Sequence, residues 1–451
     1  MFDLETQIRS WSDHLRAHGN FTESDLSELE SHLRDQIEDL MVAGLADDEA
    51  FLVSVKRLGN VDAISHEFAK VNTERLWKHL FVEPVDPQAR RRNWRDIGLV
   101  VLFGLLAGTL LKVPGLFGHG FDDPGADFFY VKNMSLFILP FVAAFFMIRR
   151  GASARTWLVI LAIFAGSALL INVYPTLSPH HTLVLSGMHL ALFLWLVVGV
   201  TYIGPEWRLC AGRMNFIRFS GEVFIYGVLV FAGIMVLGMF TLLIFQAIQI
   251  DVEGFMEDYY FIYGACTTAM ITVYLVEAKR SVVENFAPIL ARIFTPLFLI
   301  VMTVFLLVMV ITGSSPFLER EFLIAFDFML AMVLGLVLYV ISARDPKHPP
   351  NLFDYLNLAL ILVALIIDGV ALSAVVFRLS AFGISPNKVA ALGENLFLLG
   401  NLAGLAWLYL QYFRRKCNFI RLEQWQTAYL NVYAVWLAFV AFVFPILFGF
   451  I

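Results

Sequence analysis

Residues 354–404 read DYLNLALILVALIIDGVALSAVVFRLSAFGISPNKVAALGENLFLLGNLAG. Two apolar runs lie here, each near or above the roughly 20 residues an α-helix needs to cross a bilayer. The first carries Asp368 at its middle, in ALIIDGVALS. The second carries Asn387, Glu394 and Asn401, one every seven residues, beside a Gly400-x-x-x-Gly404 pair. Seven residues of α-helix is about two turns, so these three polar groups share a face. Hydrocarbon makes such groups expensive, and they need a reason to be there.

The rest of the chain supports a lipid setting. Of 451 residues, 59% are hydrophobic and 16% charged, against about 45–50% and about 25% in ordinary globular chains. The charge is uneven. Residues 1–80 hold 8 Lys and Arg against 16 Asp and Glu, and the remainder holds 24 against 22. An acidic head on a nearly neutral apolar body excludes nucleic acid as a partner, because binding a phosphate backbone needs clustered Lys and Arg. Membrane lipids are the partner the composition implies. The first residues, MFDLETQIRSWSDH, lack a positive region followed by an apolar run and are not read as a signal peptide. Cys210, Cys266 and Cys417 are far apart, and neither a disulfide framework nor a zinc site is expected.

Residues 1–75 are expected to form a bundle of about four helices. Leu4, Ile8, Trp11 and Leu15 keep helical spacing up to Gly19, and Leu26, Leu29, Leu33, Ile37 and Leu40 keep it between Thr22 and Gly44. Asp47 begins a third helix that Gly59 ends, and Asp62 falls in the first turn of a fourth. The run HLRDQIEDLMVAGLADDEAF, followed by RLGNVDAISHEFAK, resembles the permease-prefix (HAAS-type) helical domain of bacterial membrane proteins. The resemblance implies a cytoplasmic adaptor or regulatory domain that meets a protein partner through residues 1–75. It implies no catalytic residue, and His32 and Arg57, at motif positions, are read as structural.

Residues 76–96 read as a linker with a basic collar, Arg90, Arg91, Arg92 and Arg95. The membrane domain, 97–451, contains apolar segments at about 97–118, 127–148, 156–174, 182–203, 217–247, 257–277, 286–312, 321–343, 353–378, 389–412 and 427–450. The expected fold is therefore all-α, with eleven transmembrane helices and a small N-terminal helical bundle. The longest segment, 217–247, is a candidate for a break at Gly233 or Gly238. With the head placed in the cytoplasm, the alternating loops put 19 Lys and Arg inside and 5 outside (Lys112, Lys132, Arg320, Arg378 and Lys388). That asymmetry is the positive-inside pattern. It predicts a cytoplasmic N-terminus and a C-terminus outside, periplasmic or extracellular. The stretches ARIFTPLFLI, FLIAFDFMLAMVLGLVLYVISARDP, SPNKVAALGENLFLLGNLAGLAWLYL and LEQWQTAYL resemble a bacterial multi-span family known only as a domain of unknown function. That resemblance implies a bacterial inner-membrane location and no mechanism.

The candidate site is a polar cluster of Asp327, Asp368, Glu394, Asn395 and Asn401 on spans eight to ten. Asn357 shares a helical face with Asp368, and Arg378 and Lys388 are available as counter-charges. Carboxyls on adjacent spans can form a proton or cation site. The alternative is that each is protonated or paired and holds the bundle together. Asp354 sits at the cytoplasmic end and drops out of the cluster. His189 reads as a hydrogen-bonded interior residue, and Gly400-x-x-x-Gly404 as a packing motif. Asp122, Asp123, Asp127, His180 and His181 lie in far-side loops without metal-site spacing. No catalytic motif, resident metal or cofactor is indicated, and nothing in the sequence speaks to oligomeric state. The sequence favours a regulatory or sensory membrane protein, with a secondary transporter as the alternative.

Overall fold

A computed structural model describes residues 4–18, 23–42, 44–58, 87–121, 123, 125–278, 286–313, 317 and 320–451. All regular structure among these residues is helical, and they separate into two compact units, 1–92 and 93–451.

The first unit contains α1 (Leu4–His18), α2 (Glu23–Val42) and α3 (Asp47–Leu58). Ile8, Leu33, Ile37, Ala50 and Phe51 make its core, with Leu4, Trp11 and Leu40 against it. Leu4, Ile8, Trp11, Leu33, Ile37 and Leu40 are residues the helical spacing placed inward, and Ala50 and Phe51 of α3 join them. Gly44 ends α2 at φ +98, a conformation that suits glycine. Arg34 of α2 spans Glu5 of α1 and its own Glu30, at 2.6 and 2.9 Å, and this cation holds the Glu5 carboxyl below its ordinary range. The fourth helix expected near Asp62 lies outside the described residues.

The second unit is built from α4 (Pro87–Lys112), α5 (Ala126–Arg149), α6 (Ala154–Val173), α7 (His181–Ile203) and α8 (Cys210–Ala247), then α9 (Ile262–Ala278) and α10 (Phe286–Thr312). It continues with α11 (Arg320–Ala343), α12 (Leu352–Phe382), α13 (Pro386–Phe413) and α14 (Ile420–Ala438). A π-helical stretch, Met256–Phe261, leads into α9, and another, Phe439–Val443, extends α14 into Phe444–Leu447. Eleven helices among the described residues are long and apolar enough to span a membrane. This is an integral membrane protein.

Two elements gain detail over the sequence reading. The basic collar is helical: α4 starts at Pro87 and carries Arg90, Arg91, Arg92 and Arg95 on continuous helix. Proline at the first helical position fits there because its missing N–H has no helical partner anyway. The long fifth span is unbroken through Gly233 and Gly238, and begins earlier, at Cys210. Its 38 residues would extend about 57 Å at the usual rise per residue, against about 30 Å of hydrocarbon. The excess is anchored at the collar end. There Arg213 donates to the Thr427 carbonyl at 3.0 Å, and Arg218 donates to the Ser342 carbonyl.

Two cores organise the body. One joins α4–α9 through Phe145, Phe146, Leu190, Leu194, Phe216, Phe219 and Met270. The other joins α10–α14 through Phe326, Leu330, Val337, Ile361, Ile367, Leu402 and Tyr409, with Met214 and Ile217 of α8 entering it. The outward faces stay apolar: Phe224, Val228, Leu237 and Phe240 on α8 are exposed, as are Ile300, Val304, Leu307 and Ile311 on α10. Water would make such a surface an aggregation site, whereas lipid is its natural solvent.

Alternation of the helices is visible in pairs at each end. Asp96 of α4, Arg149 of α5 and Glu277 of α9 meet at the collar side, with Arg149 to Asp96 at 3.6 Å. Lys112 of α4 meets Asp258 at 3.3 Å on the far side.

Glycine sets the closest helix approach. A Cβ added at Gly404 would sit 2.1 Å from the Trp425 ring, at Gly393 2.1 Å from Trp436, and at Gly400 2.7 Å from the Tyr429 hydroxyl. Three aromatic side chains of α14 thus fill a glycine groove on α13. Gly404→Leu is expected to lower the unfolding midpoint in detergent, at an overpacking cost of about 1–3 kcal/mol. Gly335→Ala, where an added Cβ meets nothing within 4 Å, is the matched control and should leave it nearly unchanged.

Candidate functional site

The acidic and amide residues singled out in the sequence come together on α11, α12 and α13, and α13 connects them. Asn395 of α13 is buried and donates from Nδ2 to Asp327 Oδ1 of α11 at 3.1 Å, and to its own Ala391 carbonyl at 2.9 Å. Asp327 is close enough to Asp368 and Glu394 for their charges to interact. Asp368, in the middle of α12, is 0% exposed, and both its carboxyl oxygens lack a hydrogen-bond partner among the described residues. A buried polar group without a partner is costly, so two unsatisfied oxygens on one side chain stand out.

Glu394 turns the other way. Its Oε1 lies 2.7 Å from His189 Nε2 of α7, joining the two cores of the body. The Nδ1 of His189 sits 2.8 Å from the Leu185 carbonyl, which can only accept. Nδ1 therefore carries hydrogen. If the ring is neutral, Nε2 is an acceptor and Glu394 must supply a hydroxyl hydrogen. If the ring is cationic, Glu394 is a carboxylate. Either way one proton lies between these two atoms.

Asn401 has a third set of partners, on α14. It donates to the Tyr433 hydroxyl at 2.9 Å and accepts from Trp425 Nε1 at 2.9 Å. With Gln426 it makes a reciprocal amide pair at 3.3 Å in both directions. Tyr433 in turn lies within electrostatic reach of Asp368. Hydrogen bonds thus tie α13 to α7 through Glu394, to α11 through Asn395 and to α14 through Asn401, and Asp368 of α12 makes none of them.

The counter-charges go elsewhere. Lys388 donates to the Phe382 and Gly383 carbonyls at 3.1 and 2.7 Å, closing the C-terminal end of α12. The guanidinium of Arg378 lies 5.7 Å from the centre of the Phe382 ring. Asn357, on the same face as Asp368, donates to the Tyr409 hydroxyl at 2.8 Å, nearer the collar end. Asp354 is at that end, as its position implied, but it is buried and paired. It forms a capping box with Asn351 and a two-pronged ion pair with Arg344 at 2.7 and 2.9 Å. Arg344 also donates to the Tyr412 hydroxyl at 2.7 Å and lies over the Phe419 ring.

The far-side loop residues do not converge. Asp123 accepts from the Gly120 N–H, and His180 packs on the Phe128 ring at 4.1 Å. Among the described residues no three of His, Cys, Asp and Glu form a metal-sized group, and Asp122 lies outside them.

The sequence reading missed the partners rather than the carboxyls. His189, Gln426, Tyr433 and Arg344 enter from other helices, and helical spacing names a face without naming its neighbour. No family model, curated protein or solved structure matches the chain.

The Arg344–Asp354 pair is buried on both sides, at 8% and 3% side-chain exposure. Arg344→Met should strand the carboxylate and destabilise the body by about 3–5 kcal/mol. Adding Asp354→Leu should recover part of that loss. Unfolding midpoints of the single and double variants in detergent measure both effects.

Proposed function

We propose that this integral membrane protein is a proton- or monovalent-cation-responsive regulator of a bacterial inner membrane. The carboxyl network on α11–α13 would be its sensing element, and residues 1–75 its cytoplasmic reporter. The observation that carries the reading is Asp368. It is fully buried, lacks hydrogen-bond partners among the described residues and interacts electrostatically with Asp327. Two carboxyls in a low-dielectric interior do not both stay ionised without a compensating charge, so binding one proton or one small cation is the natural event at this pair. The hydrogen bond between His189 Nε2 and Glu394 Oε1 ties α13 of the same cluster to α7.

The regulatory half of the proposal rests on the sequence. The excess of Lys and Arg, 19 to 5, assigns the head to the cytoplasm. The resemblance of residues 1–75 to the permease-prefix domain supplies a reporter role, with a cytoplasmic protein as partner.

Coupled transport is the second reading, and one observation favours it. The His189–Glu394 contact joins a helix of one core to a helix of the other, where a transporter would place a gate. A flux assay separates the two. Full-length protein in liposomes should bind protons or sodium without moving them, so that an entrapped pH or sodium dye reports the leak of empty vesicles. Infrared difference spectra between acid and neutral pH should show a carboxyl signal that Asp368→Asn removes. An unchanged signal in Asp368→Asn and Asp327→Asn would overturn the sensing site, and carboxyl-dependent flux would select transport over regulation. Deleting residues 1–75 should abolish a transcriptional response to acid shift while the body still inserts.

A further inference from the structure

The loop between α13 and α14 gathers cations at the collar end of the body, away from the carboxyl cluster. It borders an open pocket of about 370 Å³, lined by Arg415, Lys416, Asn418, Ile420, Arg421 and Gln424. That is room for a phosphate ester with several waters, each of which takes about 30 Å³ in the liquid. No carboxylate lines the pocket. Glu423, the nearest in sequence, lies instead within electrostatic reach of Arg218 and Arg344. The side chains of Arg415, Lys416 and Arg421 make no ion pair and no hydrogen bond among the described residues.

Helix charge does not account for the whole cluster. Arg415 and Lys416 follow the C-terminal end of α13, where the helix dipole favours cations. Arg421 is in the first turn of α14, where the dipole disfavours one. The turn itself places a cation where glycine is usual: Arg415 has φ +57, and the Lys416 N–H donates to the Gln411 carbonyl at 2.9 Å.

The surface that leads to this pocket is apolar. Leu396, Trp407 and Leu410 of α13 are exposed, and helical spacing puts them on one face with the exposed Arg414. Ile420, also exposed, belongs to the pocket wall. An outward stripe that suits hydrocarbon therefore ends in a group of cations without counter-charges.

We propose that this pocket holds the headgroup of an anionic phospholipid whose acyl chains lie along the outward face of α13. The three cations meet the phosphate, and the Asn418 and Gln424 amides donate to its ester and glycerol oxygens. Basic pockets beside spans bind such headgroups. An open pocket suits a ligand that stays continuous with the bilayer. A free phosphate would use the cations and leave the stripe unused.

Native mass spectrometry of the full-length protein in detergent tests this, with phosphatidylglycerol and phosphatidylcholine of the same acyl chains as probes. The first phosphatidylglycerol should bind at least about 10-fold more tightly than the first phosphatidylcholine. Arg415→Gln, Lys416→Gln and Arg421→Gln together should weaken it on the order of 100-fold, roughly 5-fold per cation. Arg155→Gln, Arg208→Gln and Lys347→Gln, three exposed cations of other collar-side loops, should together leave it unchanged. Equal affinity for the two lipids would overturn the proposal, as would an equal loss in the second triple variant. Inorganic phosphate that displaces the lipid at equal concentration would make the site one for the free anion and overturn the lipid as its occupant. If the first triple variant does not fold, Lys416→Gln alone decides: unchanged phosphatidylglycerol affinity there overturns the site.

Discussion

A polar atom in hydrocarbon has no water to turn to, and the body of this protein is arranged around that constraint. The backbone meets it by being helical throughout the spans. The side chains meet it by reaching between helices, and α13 is where most of those reaches begin. Glu394 goes to α7, Asn395 to α11, Asn401 to α14 and Tyr409 to α12. Each neighbour is held by a different residue at a different depth. The same helix is lined with Gly393, Gly400 and Gly404 where α14 lies against it. Close approach and polar pairing act together, since amide hydrogen bonds between helices need the backbones near one another, and glycine allows that.

Against this background the exception carries the information. A hydrogen-bonded Asn401 with its amide partners is an adequate structural element and needs no further purpose. Asp368 is different, because the same protein that satisfies so many interior amides leaves both its carboxyl oxygens without a hydrogen-bond partner among the described residues. A proton or a small cation there is the simplest way to meet the constraint the rest of the body obeys.

Much of the architecture was legible from the residues. Apolar runs of about 20 residues are an unmistakable signal, and all eleven appear as helices, with ends moved by a few residues. The helical state of the collar was not drawn from the sequence, although Arg is a good helix former and Pro87 is a suitable helix start. The seven-residue stripe was a weaker guide. It grouped Asn387, Glu394 and Asn401 on one face, whereas the network also needs Asn395, next in sequence to Glu394 and directed at another helix. Helix-to-helix adjacency decides these cases, and a single sequence does not encode it in any local pattern.

The His189–Glu394 contact is one tie among several. The two cores of the body share α8, and among the described residues polar bonds also tie them: Arg213 to the Thr427 carbonyl and Arg218 to the Ser342 carbonyl among them, with His189–Glu394 within the spans. The first two use permanently charged donors onto carbonyls, so their strength is indifferent to pH. The third depends on one proton between a ring nitrogen and a carboxyl oxygen. Without that hydrogen two acceptors would face each other at 2.7 Å, an arrangement the half-exposed Glu394 side chain relieves by turning away rather than by parting the helices. The cores are held by their apolar contacts through α8, and this hydrogen bond adds orientation to them rather than setting their fit.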